Sequence, residues 1–117
     1  MENGMKKPRK KRCDRNHLIY LLTSPSGKRY IGVTYARGRA YRASLRQRWL
    51  THCRNANVYN YDTDISVCIR EEGADKFELQ ILKIIRGKDE AHALERKMIA
   101  DLQPELNMEG MGRKRKS

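Results

Sequence analysis

Glu95 stands where its helix ought to be apolar. The stretch from Asp89 to Leu102 has helical periodicity. On a wheel of about 100° per residue, Ala91, Met98, Ile99 and Leu102 all fall within roughly 60° of Glu95. A carboxylate is therefore aimed at the middle of the face that should be buried, and no Lys or Arg stands three or four residues away to pair with it. A buried carboxylate without a counter-charge costs several kcal/mol. Something from elsewhere must neutralise it, either a divalent metal ion or an Arg from another element. His92 is close enough on the wheel to be its partner, or it is a boundary residue without a role.

An earlier helix repeats the anomaly with the opposite sign. Tyr41, Leu45, Trp49, Cys53 and Ala56 recur at helical steps and form its apolar side, with Trp49 a core residue. Relative to Leu45, His52 lies about 20° away and Arg48 about 60° away on the same side, whereas Arg42, Arg46 and Arg54 point elsewhere. Tyr20 and Tyr30 occupy two strand-like segments, and an even-numbered register between those strands puts both phenols on one face of a sheet. As ordinary sheet aromatics they would need no further role. Taken with Arg48, His52 and Glu95, they supply what phosphodiester hydrolysis requires: a metal-binding carboxylate, a guanidinium to hold a phosphate, and phenols and an imidazole to handle protons.

The elements that must position these residues follow from local pattern. His17 to Thr23 is apolar and β-prone, Ser24-Pro25-Ser26-Gly27 is a turn signal, and Lys28 to Thr34 resumes a strand. Gly38 opens a short basic loop before the first helix. Asp62 to Glu72 reads as a second helix, with Asp62 and Asp64 as its N-cap group and Gly73 as its C-cap. Phe77 to Ile85 is a third strand, Gly87 breaks it, Asp89 caps the last helix, and Pro104 follows that helix's end. The order is β-β-α-α-β-α. Residues 1–15 form a basic arm expected to be disordered without DNA, residues 16–109 the domain, and residues 110–117 a second basic tail.

Charge separates the chain into two halves. The formal net charge is +12. From Arg15 to Tyr61 there are nine Lys or Arg and no Asp or Glu, whereas from Asp62 to Gly110 seven basic residues face twelve acidic ones. Such asymmetry points to a polyanion, with nucleic acid the usual one, and names no reaction. No apolar run approaches a membrane span and no signal-peptide pattern opens the chain. Cys13, Cys53 and Cys68 are an odd set, which fits a reducing, cytoplasmic setting. A zinc site built from Cys13, His17, His52 and Cys53 matches no common finger spacing.

These residues resemble the GIY-YIG nucleases. The first motif stands as Leu18-Ile19-Tyr20 and the second as Tyr30-Ile31-Gly32. The helical RxxxH element runs from Arg48 to His52, the family's Glu is Glu95 in ALERKMIADLQPELN, and its closing Asn is Asn107. Leu18 departs from the motif's Gly, at a position where no loss of activity is expected. The resemblance implies a small α+β fold, a central three-stranded antiparallel sheet flanked by helices. It also implies one divalent ion per site, Mg²⁺ or another such as Mn²⁺, held by Glu95. Arg48 would donate to the phosphate, Tyr20 would orient the attacking water and could accept its proton, and Tyr30 and His52 would hydrogen-bond around them. Gly32 would let the backbone approach closely.

The expected activity is metal-dependent DNA cleavage of the homing-endonuclease or phage kind, in a phage or bacterial host cytoplasm, with a homodimer for double-strand cuts. The alternatives are a structure-specific or repair-type nicking enzyme and a non-catalytic basic DNA-binding module. DNA contacts are expected from Arg29, Arg39, Arg42, Arg46, Arg54 and Asn107, and from Lys28 unless it is only a solvated strand-edge residue.

Overall fold

The structure is a computed structural model in which residues 15–107 are described. The basic arm upstream of Arg15, Cys13 within it, and the C-terminal tail lie outside the described residues.

A sharp hairpin starts the domain. β1 (Asn16–Thr23) and β2 (Arg29–Tyr35) are joined through the predicted turn, where Gly27 N donates to Ser24 O at 2.9 Å and Ser24 N to Lys28 O at 2.8 Å. The strands pair antiparallel with Tyr20 opposite Gly32 and Leu22 opposite Tyr30. That register is even, so Tyr20 and Tyr30 share a face. β3 (Glu78–Arg86) pairs antiparallel on the other side of β1, giving the order β2-β1-β3. The register of β3 slips by one residue between Ile19 and Tyr20, where Lys83 and Ile81 are the opposing partners and Leu82 is left over. A β-bulge of this kind turns the side-chain alternation over within a strand, and it explains why the apolar residues of the stretch 81–85, interrupted by Lys83, suit no single face.

α1 (Tyr41–Asn57) and α2 (Asp64–Glu72) pack on each other and on the sheet face that carries Leu18, Tyr20 and Leu22. Leu45, Trp49 and Ala56 from α1, Ile65, Cys68 and Ile69 from α2, and Phe77 complete this core. Leu18, which stands where the resemblance has Gly, is wholly buried here and fills the core. α3 (Lys88–Leu102) packs against all three strands and makes no comparable contact with α1 or α2. It therefore covers the opposite face, where Ile19, Ile31 and Ala91 are fully buried. A 3₁₀ turn at Glu105–Asn107 closes the domain by seating Leu106 in the core beside β2.

Two helix starts differ from their sequence expectations. The α2 cap is Thr63, whose hydroxyl accepts from Ser66 N at 3.4 Å, and Asp64 lies within the first turn. The β-region backbone at Thr63 is the conformation a capping side chain needs. α3 begins at Lys88 after Gly87, with no side-chain cap, so Asp89 is a first-turn acid that favours the helix dipole. The C-terminal end of α2 follows expectation: Gly73 sits at φ 91°, open to glycine at little cost, and its N–H donates to Ile69 O.

The apolar stripe of α3 is also less covered than the wheel suggests. Ala91 is its one buried residue, and Leu102 is 43% exposed.

Candidate active site

The site is built on the sheet face under α1. Tyr20 projects from the central strand and is almost completely buried, at 1% exposure. Its hydroxyl lies 3.0 Å from His52 Nε2 and accepts from Arg48 Nε at 3.4 Å. His52 and Arg48 occur one turn apart on α1, so a single helix face delivers both to the same phenol oxygen. Tyr30 completes the cluster, its ring 6.4 Å from that of Tyr20 and edge-on to His52 at 5.3 Å.

Gly32 makes the cluster possible. It lies opposite Tyr20 on the edge strand, and a Cβ at that position would fall 2.5 Å from the Tyr20 hydroxyl. The phenol thus occupies space that a side chain on β2 would take.

Burial sets the protonation states. Removal from water holds His52 down to about 4, and the neighbouring Arg48 cation pushes the same way, so the imidazole is neutral at neutral pH. Burial raises the pKa of Tyr20, against the attraction of Arg48, and the charge of Glu95 adds to the rise. Tyr20 is therefore a neutral phenol. A phenol acidified by neighbouring cations, the condition under which Tyr20 alone would take a proton, is not what this environment produces. Burial disfavours the charge of Arg48, but the facing phenols of Tyr20 and Tyr30 more than restore it.

Glu95 stands apart from this hydrogen-bonded group. Its side chain is 19% exposed, and its ion-pair partner is His92, 3.6 Å away on the same helix, rather than Arg48. Burial raises its pKa, while His92 and then Arg96 work in the other direction. Its field reaches Tyr20, although the helix that carries it lies on the other face of the sheet. Tyr20, Tyr30, Arg48 and His52 are thus joined by contact, and Glu95 is joined to them by electrostatics.

The donor set at Glu95 fits a Mg²⁺-type ion. Such an ion accepts one carboxylate and completes its shell with water and substrate phosphate oxygens. Among the described residues no group of three or more His, Cys, Asp or Glu side chains comes together, so a closed cage of protein ligands is not the arrangement offered.

The cations divide by position. Arg39, Arg42, Arg46 and Arg54 are exposed. At the hairpin end, Lys28 lies 3.9 Å from Glu72, and Arg29 is occupied by Glu105 at 3.5 Å and by the carbonyl of Leu102 at 3.1 Å. Asn107 grips β2 from both sides of one residue: its Oδ1 accepts from Ile31 N at 2.6 Å and its Nδ2 donates to Ile31 O at 2.9 Å. The side chain of Asn107 thus secures the strand that carries Tyr30 and Gly32.

A groove of about 400 Å³ opens beside Arg48, lined also by Thr34, Tyr35, Arg37, Ser44, Gln47 and Thr51. Sequence reasoning did not single out Thr34, Gln47 or Thr51. Gln47 and Thr51 flank Arg48 at helical spacing, which was the available signal.

Comparison with curated proteins and with solved structures returned no match. A family model for the GIY-YIG catalytic domain matches residues 16–108, which takes in nearly all of the described residues. The chain belongs to the GIY-YIG family, a family of nucleases.

Proposed function

We infer that this chain is a divalent-metal-dependent DNA endonuclease of the homing-endonuclease or phage kind. The observation that carries the reading is the buried chain Arg48–Tyr20–His52, in which a cation, a neutral phenol and a neutral imidazole meet at one oxygen. A DNA-binding module without catalysis has no need to bury and align these groups at the cost of their desolvation.

In the tautomer that leaves Nε2 unprotonated, Tyr20 donates its hydrogen to His52 while accepting from Arg48. His52 is then the final proton acceptor. A water held by Tyr20 passes its proton to the phenol as the phenol passes its own to the imidazole, so no phenoxide is required. Arg48 has its remaining guanidinium N–H groups for the phosphate in the adjoining groove, where they stabilise charge developing on the phosphoryl oxygens. Tyr30 packs the imidazole in place from the side. A Mg²⁺ or Mn²⁺ ion held by Glu95 would supply charge neutralisation at the phosphate and the leaving 3′ oxygen.

One such site cuts one strand, so a double-strand break calls for a homodimer or two successive events. The setting we infer is the cytoplasm of a bacterial or phage-infected cell. No described helix is long and apolar enough to cross a membrane.

Supercoiled plasmid incubated with Mg²⁺ or with EDTA tests the reading. Cutting by the wild type with Mg²⁺ alone is expected, and Glu95→Ala should lose at least about a hundredfold in rate while its gel-shift affinity in EDTA is preserved. Wild-type protein that cuts with no divalent ion supplied, or a Glu95→Ala variant that cuts at the wild-type rate, would overturn it.

A further inference from the structure

Tyr35 is the last residue of β2, an edge strand, and the residue is 48% exposed. Three grooves meet at it. The first is the groove beside Arg48, of about 400 Å³. The second, of about 590 Å³, runs past Arg15, Asn16 and Arg37, and the third, of about 220 Å³, lies between Arg15, His17 and Lys88. None of the residues lining them is Asp or Glu.

The cations at this surface are positioned by the fold. The Arg15 guanidinium sits over the Tyr35 ring, 5.0 Å from its centroid. The Arg15 carbonyl accepts from Gly87 N at 3.0 Å and lies 2.8 Å from His17 Nδ1, so the backbone beneath that guanidinium is anchored at two points. Arg37 N donates to Ser44 Oγ at 3.1 Å, which ties the second cation to the start of α1.

An exposed aromatic ring among cations, with no acid among the described residues that line its grooves, suits one class of ligand well. Phosphates take the charges, and a base takes the ring. Bases in a continuous duplex are stacked on each other and present only their edges, so a ring face can be used only by an unpaired base.

We propose that Tyr35 is a stacking platform for an unpaired nucleotide of a DNA strand that leaves the Arg48 groove along Arg37, Arg15 and Lys88. The chain would then hold a fork, flap or bubble more tightly than a continuous duplex. This rests on the reading of the Arg48 site as the place of cleavage.

The test measures binding by the wild-type full chain in EDTA, so that no cutting contributes. Fluorescent oligonucleotides of equal phosphate number are compared as continuous duplex, forked duplex and single strand, with 2-aminopurine at the first unpaired position of the fork. The fork is expected to bind more tightly than the duplex, with 2-aminopurine quenched on binding. Tyr35→Ala should lose roughly tenfold or more on the fork and little on the duplex, and should relieve the quenching. Tyr35→Phe, which keeps the ring, should retain fork affinity and quenching, and equal melting temperatures for the two variants separate lost stacking from lost structure. Equal affinity for fork and duplex, a Tyr35→Ala loss shared by both, or tighter binding of single-stranded RNA than of the fork would overturn the proposal. These results are independent of plasmid cutting: loss of fork preference with intact Mg²⁺-dependent cleavage removes the platform alone, whereas absent cleavage removes the nuclease reading.

Discussion

His52 has a cost in stability that should be readable in solution. A buried imidazole held down to about 4 must be compared with an ordinary one near 6.5 in the unfolded chain. Between those values the unfolded chain holds more protons than the folded one, so stability falls as the pH falls. The contribution is fully present above the unfolded pKa and is lost on descending toward the folded one, by up to about 3 kcal/mol. Urea unfolding at pH 7, 5.5 and 4 should show this decline in the wild type and a shallower one in His52→Gln. Parallel declines would mean that other groups carry the acid sensitivity. Activity of the folded protein should hold down the same range and fall only as the pH nears about 4, where His52 itself takes a proton and can no longer accept from Tyr20.

At the scale of elements, the site depends on keeping β2 in place. β2 is bonded by a strand on one side only, and its other edge meets Asn107 through both the N–H and the carbonyl of Ile31. Asn107→Ala leaves both backbone groups without these partners. A loss of about 1–3 kcal/mol in unfolding free energy is expected. Since Tyr30 and Gly32 flank Ile31, cleavage should fall more than DNA binding does. A chemical-denaturation midpoint unchanged in Asn107→Ala would show that water substitutes for the amide at no cost. The same logic gives Leu106 its place: it buries next to β2 and brings Asn107 within reach.

At the scale of the whole molecule, the uneven distribution of charge gathers cations on the first helix. Arg39, Arg42 and Arg46 lie in or just before α1, the helix that also carries Arg48. The acidic residues come from later elements, and several are consumed internally, as Glu72 is by Ser26 and Lys28 and Glu105 is by Arg29. DNA affinity should therefore fall steeply with salt. Replacing Arg42 and Arg46 together by Gln should reduce the slope of log K against log salt by about 0.9 for each phosphate contact removed. Fluorescence anisotropy over a salt series checks this, and an unchanged slope would place the DNA against another surface.

Periodicity in the sequence was enough to place all three strands and all three helices, because each carries its own apolar pattern and its own turn or stop signals. It was also enough to put Arg48 and His52 on one helix face, whereas the tyrosines share a face through a strand register that only the structure supplies. Helix starts at Thr63 and Gly87 were missed by a residue or two because neighbouring Asp residues offer equally good local caps. Only the tertiary structure decided how deeply each group is buried. Tyr20 is sealed at the centre of the sheet, whereas Glu95 is only partly covered. That depth keeps both the Tyr20 phenol and the His52 imidazole neutral. The roles of Asn107 and Tyr35 likewise come from edges and surfaces formed by distant segments, which no local pattern along the chain can express.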